Sequence, residues 1–156
     1  AGVRVARPGF VRAAAHRHPG KVSIHTGFNN GTAHTVYAGA DFFLMPSRFE
    51  PCGLGQLYAM TYGTPPVVRR TGGLADTVLP YDEGTGAGTG FLFEEPTPGA
   101  LADTIGWACS TWYDRPGHYR RLQRAGMDLD FSWSSSARHY ARIYQWAADA
   151  RRPVHA

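Results

Sequence analysis

The chain has 156 residues, 43% of them hydrophobic and 18% charged, which suits one globular domain and excludes a disordered chain. The net charge of +4 comes from scattered arginines rather than a long basic run, and two cysteines are too few for a disulfide framework or a zinc site. No apolar run approaches the roughly 18 residues of a membrane span, so we expect a cytoplasmic protein with no metal, nucleic-acid or membrane partner.

The first part of the chain predicts two helices and two strands. Pro8 and the helix-ending sequence His18-Pro19-Gly20 bound a helix. Lys21–Thr26 alternates apolar with polar residues and predicts a short strand. Residues 32–38 predict a short helix. The nearly continuous apolar segment 41–46 predicts a strand that is buried on both faces of a parallel sheet.

The second part predicts two more strands and several helices. Strands are expected at residues 65–70, with Val67 and Val68 buried, and at residues 91–93, after a glycine-rich loop. The predicted helices cover residues 53–62, 71–78, 98–112, 116–129 and, as the terminal helix, 133–150.

The terminal helix carries one apolar stripe. Its members recur at steps of three and four residues, which is the spacing of one helix face: Trp133, Ala137, Tyr140, Tyr144 and Ala147. We interpret this stripe as part of the core. Cys109, on an earlier helix, is also expected in the core.

Strands and helices alternate with short loops, which predicts an α/β fold with a parallel sheet and helices on both faces. Four strands make a small sheet for such a domain. We therefore expect residues 1–156 to be part of a larger domain that begins before Ala1.

Three loops follow predicted strands, at residues 27–30, 47–53 and 71–73. Because the carboxyl ends of parallel strands meet at one edge of the sheet, these loops are expected there, where ligands bind in such folds. Gly53 and the pair Gly72-Gly73 would let an anion approach backbone amides at helix starts. The alternative is that these glycines only form tight turns.

Glu50 stands alone before the sequence Pro51-Cys52-Gly53, a position that suits three roles: a helix cap, a catalytic acid or base, or a ligand-binding carboxylate. Glutamate is an uncommon cap, and no second carboxylate lies nearby to form a glycosidase pair. Ser47 and Cys52 lack the frame of a catalytic nucleophile. An acceptor for sugar hydroxyls beside a diphosphate suits Glu50 best.

The sequence HTVYAGADFFLMPSRFEPCGLGQLYAMTYGTPPVVRRTGGLADTV, residues 34–78, resembles the bacterial glycogen synthase and plant starch synthase family. The resemblance continues through GTGFLFEEPTPGALADTIGWA and FSWSSSARHYARIYQWA. It implies a GT-B fold of two Rossmann-like domains, of which this chain is part of the C-terminal, donor-nucleotide-binding one. Its first strand and the N-terminal, acceptor-side domain would be missing.

The resemblance implies a role for each matching residue. Glu50 and Cys52 belong to the catalytic centre, where Glu50 holds the donor glucose hydroxyls. The residues that line the sugar and diphosphate are Gly53, Leu54, Thr71, Gly72 and Gly73. Phe28 corresponds to an aromatic ring that stacks on the base, and Tyr58 lies where many related transferases have a ribose-binding glutamate. The family's diphosphate-binding arginine and lysine would precede Ala1.

The activity implied is retaining transfer of glucose from ADP-glucose, or UDP-glucose, to the non-reducing 4-hydroxyl of an α-1,4-glucan such as glycogen or starch. The nucleotide sugar is the substrate and no further cofactor is expected. The isolated chain is expected to be inactive. Two alternatives are a non-catalytic nucleotide- or glucan-binding module and another GT-B transferase similar to sucrose synthase. A plant protein of this kind would be located in plastids.

Overall fold

The computed structural model describes residues 8–27 and 29–151, which form two compact units that divide after Thr32. Seven helices are described: α1 (Pro8–Arg17), α2 (Asn30–Gly39), α3 (Gly55–Thr61), α4 (Gly72–Thr77), α5 (Pro98–Asp114), α6 (Pro116–Met127) and α7 (Trp133–Ala150). Three strands are described: β1 (Phe43–Met45), β2 (Pro66–Arg69) and β3 (Phe91–Phe93).

The strands form one parallel sheet in the order β1-β2-β3. Val67 in the central strand is aligned with Leu44 on one side and Phe91 on the other. The next residue, Val68, is aligned with Met45 and Leu92. Because successive side chains of a strand point to opposite faces, these two rows lie on opposite faces of the sheet.

Each face of the sheet packs against helices. Val67 and Phe91 contact a buried cluster that includes Ala108 of α5 and Leu122 of α6. Val68 contacts a second cluster with residues of α3 and α4, among them Met60 and Leu74. The predicted α/β fold, with a parallel sheet covered by helices on both faces, is confirmed.

Local sequence signals explain where the longer helices begin. The Thr97 hydroxyl accepts a hydrogen bond from the Ala100 amide, and Pro98 occupies the first turn of α5, where its missing N–H has no consequence. The Ser132 hydroxyl caps α7 in the same way, accepting from the Ser135 amide.

The strand predicted at residues 21–26 does not form. His18 accepts hydrogen bonds from the amides of Lys21 and Val22, and residues 22–26 then run without regular structure. Alternation over six residues shows only that a segment could be a strand, because a strand also needs a neighbour for its backbone hydrogen bonds. The prediction that the segment 41–46 is buried on both faces was wrong for Leu44, which is 49% exposed.

The predicted core stripe of the terminal helix is exposed instead. α7 has no buried residue, and Trp133 and Tyr144 are 88% and 70% exposed. Periodicity identifies an apolar face but cannot show which element covers it, and nothing in the described ranges does. The prediction for Cys109 was wrong as well, since it is an exposed free cysteine of α5.

Tyr119 of α6 links that helix to the segment before β1. Its hydroxyl donates to the Asp41 carbonyl oxygen at 2.8 Å, and its ring meets Phe42 edge-on. Burial, assisted by the negative charge of Asp41, raises the pKa of Tyr119 from 10.0 to about 12. Since the folded state retains this proton more tightly, the tyrosine's contribution to stability is complete below pH 10 and is lost as the pH rises towards 12.

We expect Tyr119→Phe to lower the free energy of unfolding at pH 7 by about 1 kcal/mol, because the Asp41 carbonyl loses its donor. The stability difference between wild type and variant should shrink as the pH rises through the interval from 10 to 12. Urea unfolding at several pH values measures both effects. Tyr113→Phe, at an exposed position of α5, is the control. A difference that stays constant with pH would contradict the prediction.

Candidate functional site

The loops after β1 and β2 meet at the carboxyl edge of the sheet. The first runs from Pro46 to Leu54 and leads into α3, and the second contains Arg70 and Thr71 and leads into α4. The Gly73 amide lies 3.1 Å from the Glu50 carbonyl oxygen and 3.2 Å from that of Pro51. The predicted meeting of these two loops is therefore confirmed.

Glycine is required where the two loops touch. Gly72 has a φ of +45°, and a Cβ atom on it would overlap the Glu50 carbonyl oxygen. A Cβ atom on Gly73 would overlap the carbonyl oxygen of Cys52. Only residues without a side chain allow the backbones to approach this closely. The pair therefore holds the two loops together, whatever it binds.

Gly53 has a different neighbour. Its φ is +73°, and a Cβ atom there would overlap the side-chain amide of Gln56, a fully buried residue of α3. Gln56 Nε2 lies 3.2 Å from the Cys52 carbonyl oxygen and 3.1 Å from that of Gly53. It also lies 3.1 Å from Thr77 Oγ1 of α4. No local sequence pattern indicates this role for Gln56 and Thr77, because the two residues are 21 positions apart in the chain.

Glu50 is partly exposed, and its carboxylate makes no hydrogen bond or ion pair within the part of the chain that the structure describes. It does not cap a helix, since the residue at the N-cap of α3 is Leu54. The helix-cap alternative was therefore wrong. Cys52 is an exposed free cysteine, two residues further along the same loop. Both side chains are accessible to a ligand.

Arg69, the last residue of β2, organises the start of the first loop. Its guanidinium donates to the carbonyl oxygens of Ser47, at 3.0 Å, and of Arg48. The next residue, Arg70, forms an ion pair with Glu94 at 2.6 Å. Arg69 is therefore hydrogen-bonded to the backbone of the first loop, and Arg70 is paired with a carboxylate that follows β3.

A cleft of about 300 Å³ lies beside this edge, between the ends of β1 and β3 and the start of α5. Pro46 and Arg48 line it on one side, and Phe93 and Thr97 on the other. Since Arg48 belongs to the first loop, this cleft adjoins the site.

Tyr58 is on α3 and is 45% exposed, within a group of aromatic rings. Its ring centroid lies 5.9 Å from that of His34 and 6.0 Å from that of Tyr37. His34 Nδ1 is 3.0 Å from the hydroxyl of Tyr62. Phe28, the predicted base-stacking residue, lies outside the described residues. The nucleotide roles of Phe28 and Tyr58 stay predictions.

Neither a metal site nor a membrane span is found in the described ranges. No three His, Cys, Asp or Glu side chains there are grouped so that they could hold a metal ion. No helix in the same ranges has both the length and the apolar character needed to cross a bilayer.

Comparison with known proteins shows the family. Residues 9–126 match the model of the family described as glycosyl transferases group 1. The chain belongs to the group 1 glycosyltransferases. The matched residues include all three described strands and both loops of the candidate site.

Two curated relatives of this glycosyltransferase are bacterial glycogen synthases. The chain is 51% identical to that of Alkalilimnicola ehrlichii over 135 residues, which cover 86% of this chain and 28% of the relative. It is 46% identical to the glycogen synthase of Treponema denticola over 127 residues, which cover 81% of this chain and 26% of the relative. The chain thus spans little more than a quarter of these relatives, and the predicted resemblance to glycogen synthases is confirmed.

Two solved structures share the fold. The catalytic domain of starch synthase IV from Arabidopsis thaliana, bound to ADP and acarbose, aligns with a TM-score of 0.76 and 34% identity over 90% of this chain and 29% of that one. Sucrose-phosphate synthase from Thermosynechococcus elongatus aligns with a TM-score of 0.64 and 26% identity. This alignment covers 91% of this chain and 33% of the synthase.

Proposed function

We propose that this glycosyltransferase chain is part of the donor-binding domain of an α-1,4-glucan synthase that uses ADP-glucose. The reaction is transfer of glucose to the non-reducing 4-hydroxyl of glycogen or starch with retention. The observation that carries the proposal is the identity of about half the residues with glycogen synthases, over a segment that contains both interlocked loops.

The loop geometry supports this chemistry. The Glu50 carboxylate has no protein partner in the described ranges and is partly exposed, so it can accept hydrogen bonds from the hydroxyls of a donor glucose. Cys52 would line the same sugar. The backbone amides of Gly53 and Leu54 would donate to the diphosphate, and the loop 71–73 would close over the sugar phosphate.

As the bond between glucose and diphosphate breaks, negative charge grows on the leaving phosphate. Amides held in place before the reaction stabilise that charge without reorganisation, an effect of about 3 kcal/mol per donor in enzymes of other classes. Phe28 and Tyr58 would contact the base and ribose. The donor is bound as a substrate, and no further cofactor enters this proposal.

The partners implied are ADP or ADP-glucose, an α-1,4-glucan acceptor and an N-terminal GT-B domain. The starch synthase structure that aligns with this chain was solved with ADP and acarbose, which supports a nucleotide and a glucan as ligands. We propose a cytoplasmic location, in line with the bacterial relatives. A plastid location would apply to a plant protein.

A chimera tests the function. The matched segment of the Alkalilimnicola ehrlichii glycogen synthase is replaced by this chain, and transfer of labelled glucose from ADP-glucose to glycogen is measured. We expect the chimera to elongate glycogen and the isolated chain to transfer no glucose. UDP-glucose, supplied in parallel, determines the donor preference.

The other outcomes of this experiment would contradict the proposal in different ways. A folded chimera that binds ADP but transfers nothing would contradict the synthase proposal and favour the non-catalytic binding module. A chimera that elongates glycogen from UDP-glucose and not from ADP-glucose would still be a glucan synthase and would overturn only the choice of donor. Thermal unfolding of the chimera beside the parent enzyme shows that both are folded.

A further inference from the structure

We propose that Gln56 and Thr77 are positioning residues, which hold the two glycine loops in the geometry that directs the Gly53 and Leu54 amides at the donor's diphosphate. This inference rests on the proposed function. It begins with Gln56, a side chain that is fully buried in the first turn of α3 and yet polar.

The orientation of the Gln56 amide follows from its neighbours. Nε2 faces the carbonyl oxygens of Cys52 and Gly53, and both can only accept hydrogen bonds. With the amide reversed, Oε1 would face these two oxygens and repel them. The NH₂ group is therefore the end that faces the loop.

Thr77 extends this contact to the second loop. The two N–H groups of Gln56 Nε2 face three acceptors, so one of them is shared between a loop carbonyl and the Thr77 hydroxyl oxygen, which lies 3.1 Å from Nε2. The Thr77 hydroxyl donates to the Gly73 carbonyl oxygen at 2.6 Å. The Gly73 amide in turn donates to the Glu50 carbonyl oxygen. The result is a closed ring of hydrogen bonds that runs through Gln56, Thr77, Gly73 and the Glu50–Gly53 segment, called here the Gln56–Thr77 ring.

Planarity of the peptide bond explains how the ring acts on a ligand. The Cys52 carbonyl and the Gly53 N–H belong to one peptide unit, and the Gly53 carbonyl and the Leu54 N–H belong to the next. The described chain has no cis peptide, so the C=O and N–H of each unit point in opposite directions. By holding both carbonyls towards α3, Gln56 turns both N–H groups away from it.

The cost of burying Gln56 supports a role beyond packing. Its Oε1 atom is buried and has no hydrogen-bond partner in the described part of the chain. A buried acceptor without a donor lowers stability, and an apolar side chain of equal size would fill the space without that loss. The contribution specific to glutamine is donation to the two loop carbonyls.

Two substitutions break the ring while keeping side-chain volume. Gln56→Met removes the amide, and Thr77→Val removes the hydroxyl between the loops. The matched control is Thr111→Val on α5, where a buried threonine donates to the carbonyl four residues earlier, as the partly buried Thr77 does, but away from the site. Thr77→Ser keeps the hydroxyl and is the rescue variant.

Amide hydrogen exchange of the 156-residue chain is the deciding measurement, because it requires no ligand. We expect exchange of the Gly73 amide to accelerate by about tenfold in Gln56→Met and Thr77→Val, the effect of losing one net hydrogen bond. Thr77→Ser should restore protection, and Thr111→Val should leave it unchanged. Equal exchange at Gly73 in wild type and both ring variants would overturn the proposal.

Kinetics of the same variants in the chimera test the effect on the donor. We expect kcat to fall by about tenfold with the KM for ADP-glucose changed much less, because misdirected amides stabilise the leaving phosphate poorly in the transition state. A ring variant with accelerated Gly73 exchange and unchanged kcat would overturn the positioning role. An inactive parent chimera would contradict the proposed function instead, and the exchange result would still decide whether the ring holds the loops.

Discussion

Glu50→Gln is expected to weaken ADP-glucose binding by about tenfold to a hundredfold while leaving the affinity for ADP unchanged. Hydrogen bonds to a charged acceptor contribute about 1.5–3 kcal/mol, and ADP lacks the glucose that Glu50 would hold. The substitution preserves shape and removes the charge. In the described ranges no protein group depends on this carboxylate, so the fold should be unaffected.

Calorimetric titration of ADP and ADP-glucose against wild type and variant measures this difference, in the isolated chain if it binds and otherwise in the chimera. Asp103→Asn, which neutralises an exposed carboxylate on α5, controls for the change in net charge. Equal loss of affinity for both ligands would show that Glu50 acts on the nucleotide or on the loop, and the sugar-binding role would be rejected.

Gly73→Ala is expected to lower the free energy of unfolding by about 3 kcal/mol, at the upper end for an added methyl group in a packed interior. The new Cβ atom would overlap the carbonyl oxygen of Cys52, so the backbone of one loop must move away. That movement breaks the hydrogen bond between Gly73 and Glu50, and ADP-glucose binding should be lost along with stability.

Gly106→Ala is the matched control for this substitution. Gly106 lies inside α5, and a Cβ atom there has nothing within 4 Å. Alanine favours a helix interior over glycine by about 1 kcal/mol, so the control should be slightly more stable than wild type. Urea unfolding of both variants measures the contrast. A Gly73→Ala protein as stable as wild type would contradict the close approach of the loops.

Much of the fold could be predicted from local sequence signals. The helix predicted from residue 98 begins there as α5, and runs of β-branched and aromatic residues predicted β2 and β3. Such signals act within a few residues of the chain, so they need no tertiary partner. The failures are the strand at residues 21–26, the burial of Leu44, the core role of the α7 stripe and the burial of Cys109. All of them concerned whether another element pairs with or covers a segment.

The candidate site could likewise be predicted only in part from the sequence. Its position at the carboxyl edge follows from parallel topology, which predicted that the loops 47–53 and 71–73 would meet. The need for glycine at Gly72 and Gly73 could be suspected from the sequence. The atoms that require it, on Glu50 and Cys52, are known only from the folded backbone.

The sequence by itself determined the parallel α/β architecture, the family and the loops where a donor would bind, because periodicity, turn residues and motifs are properties of neighbouring residues. Only the tertiary structure decided that Gln56 and Thr77, 21 positions apart, join those loops. It also decided that the aromatic residues of α7 are exposed. Hydrogen bonds and burial between distant segments depend on how the chain folds back on itself, and no local pattern encodes them.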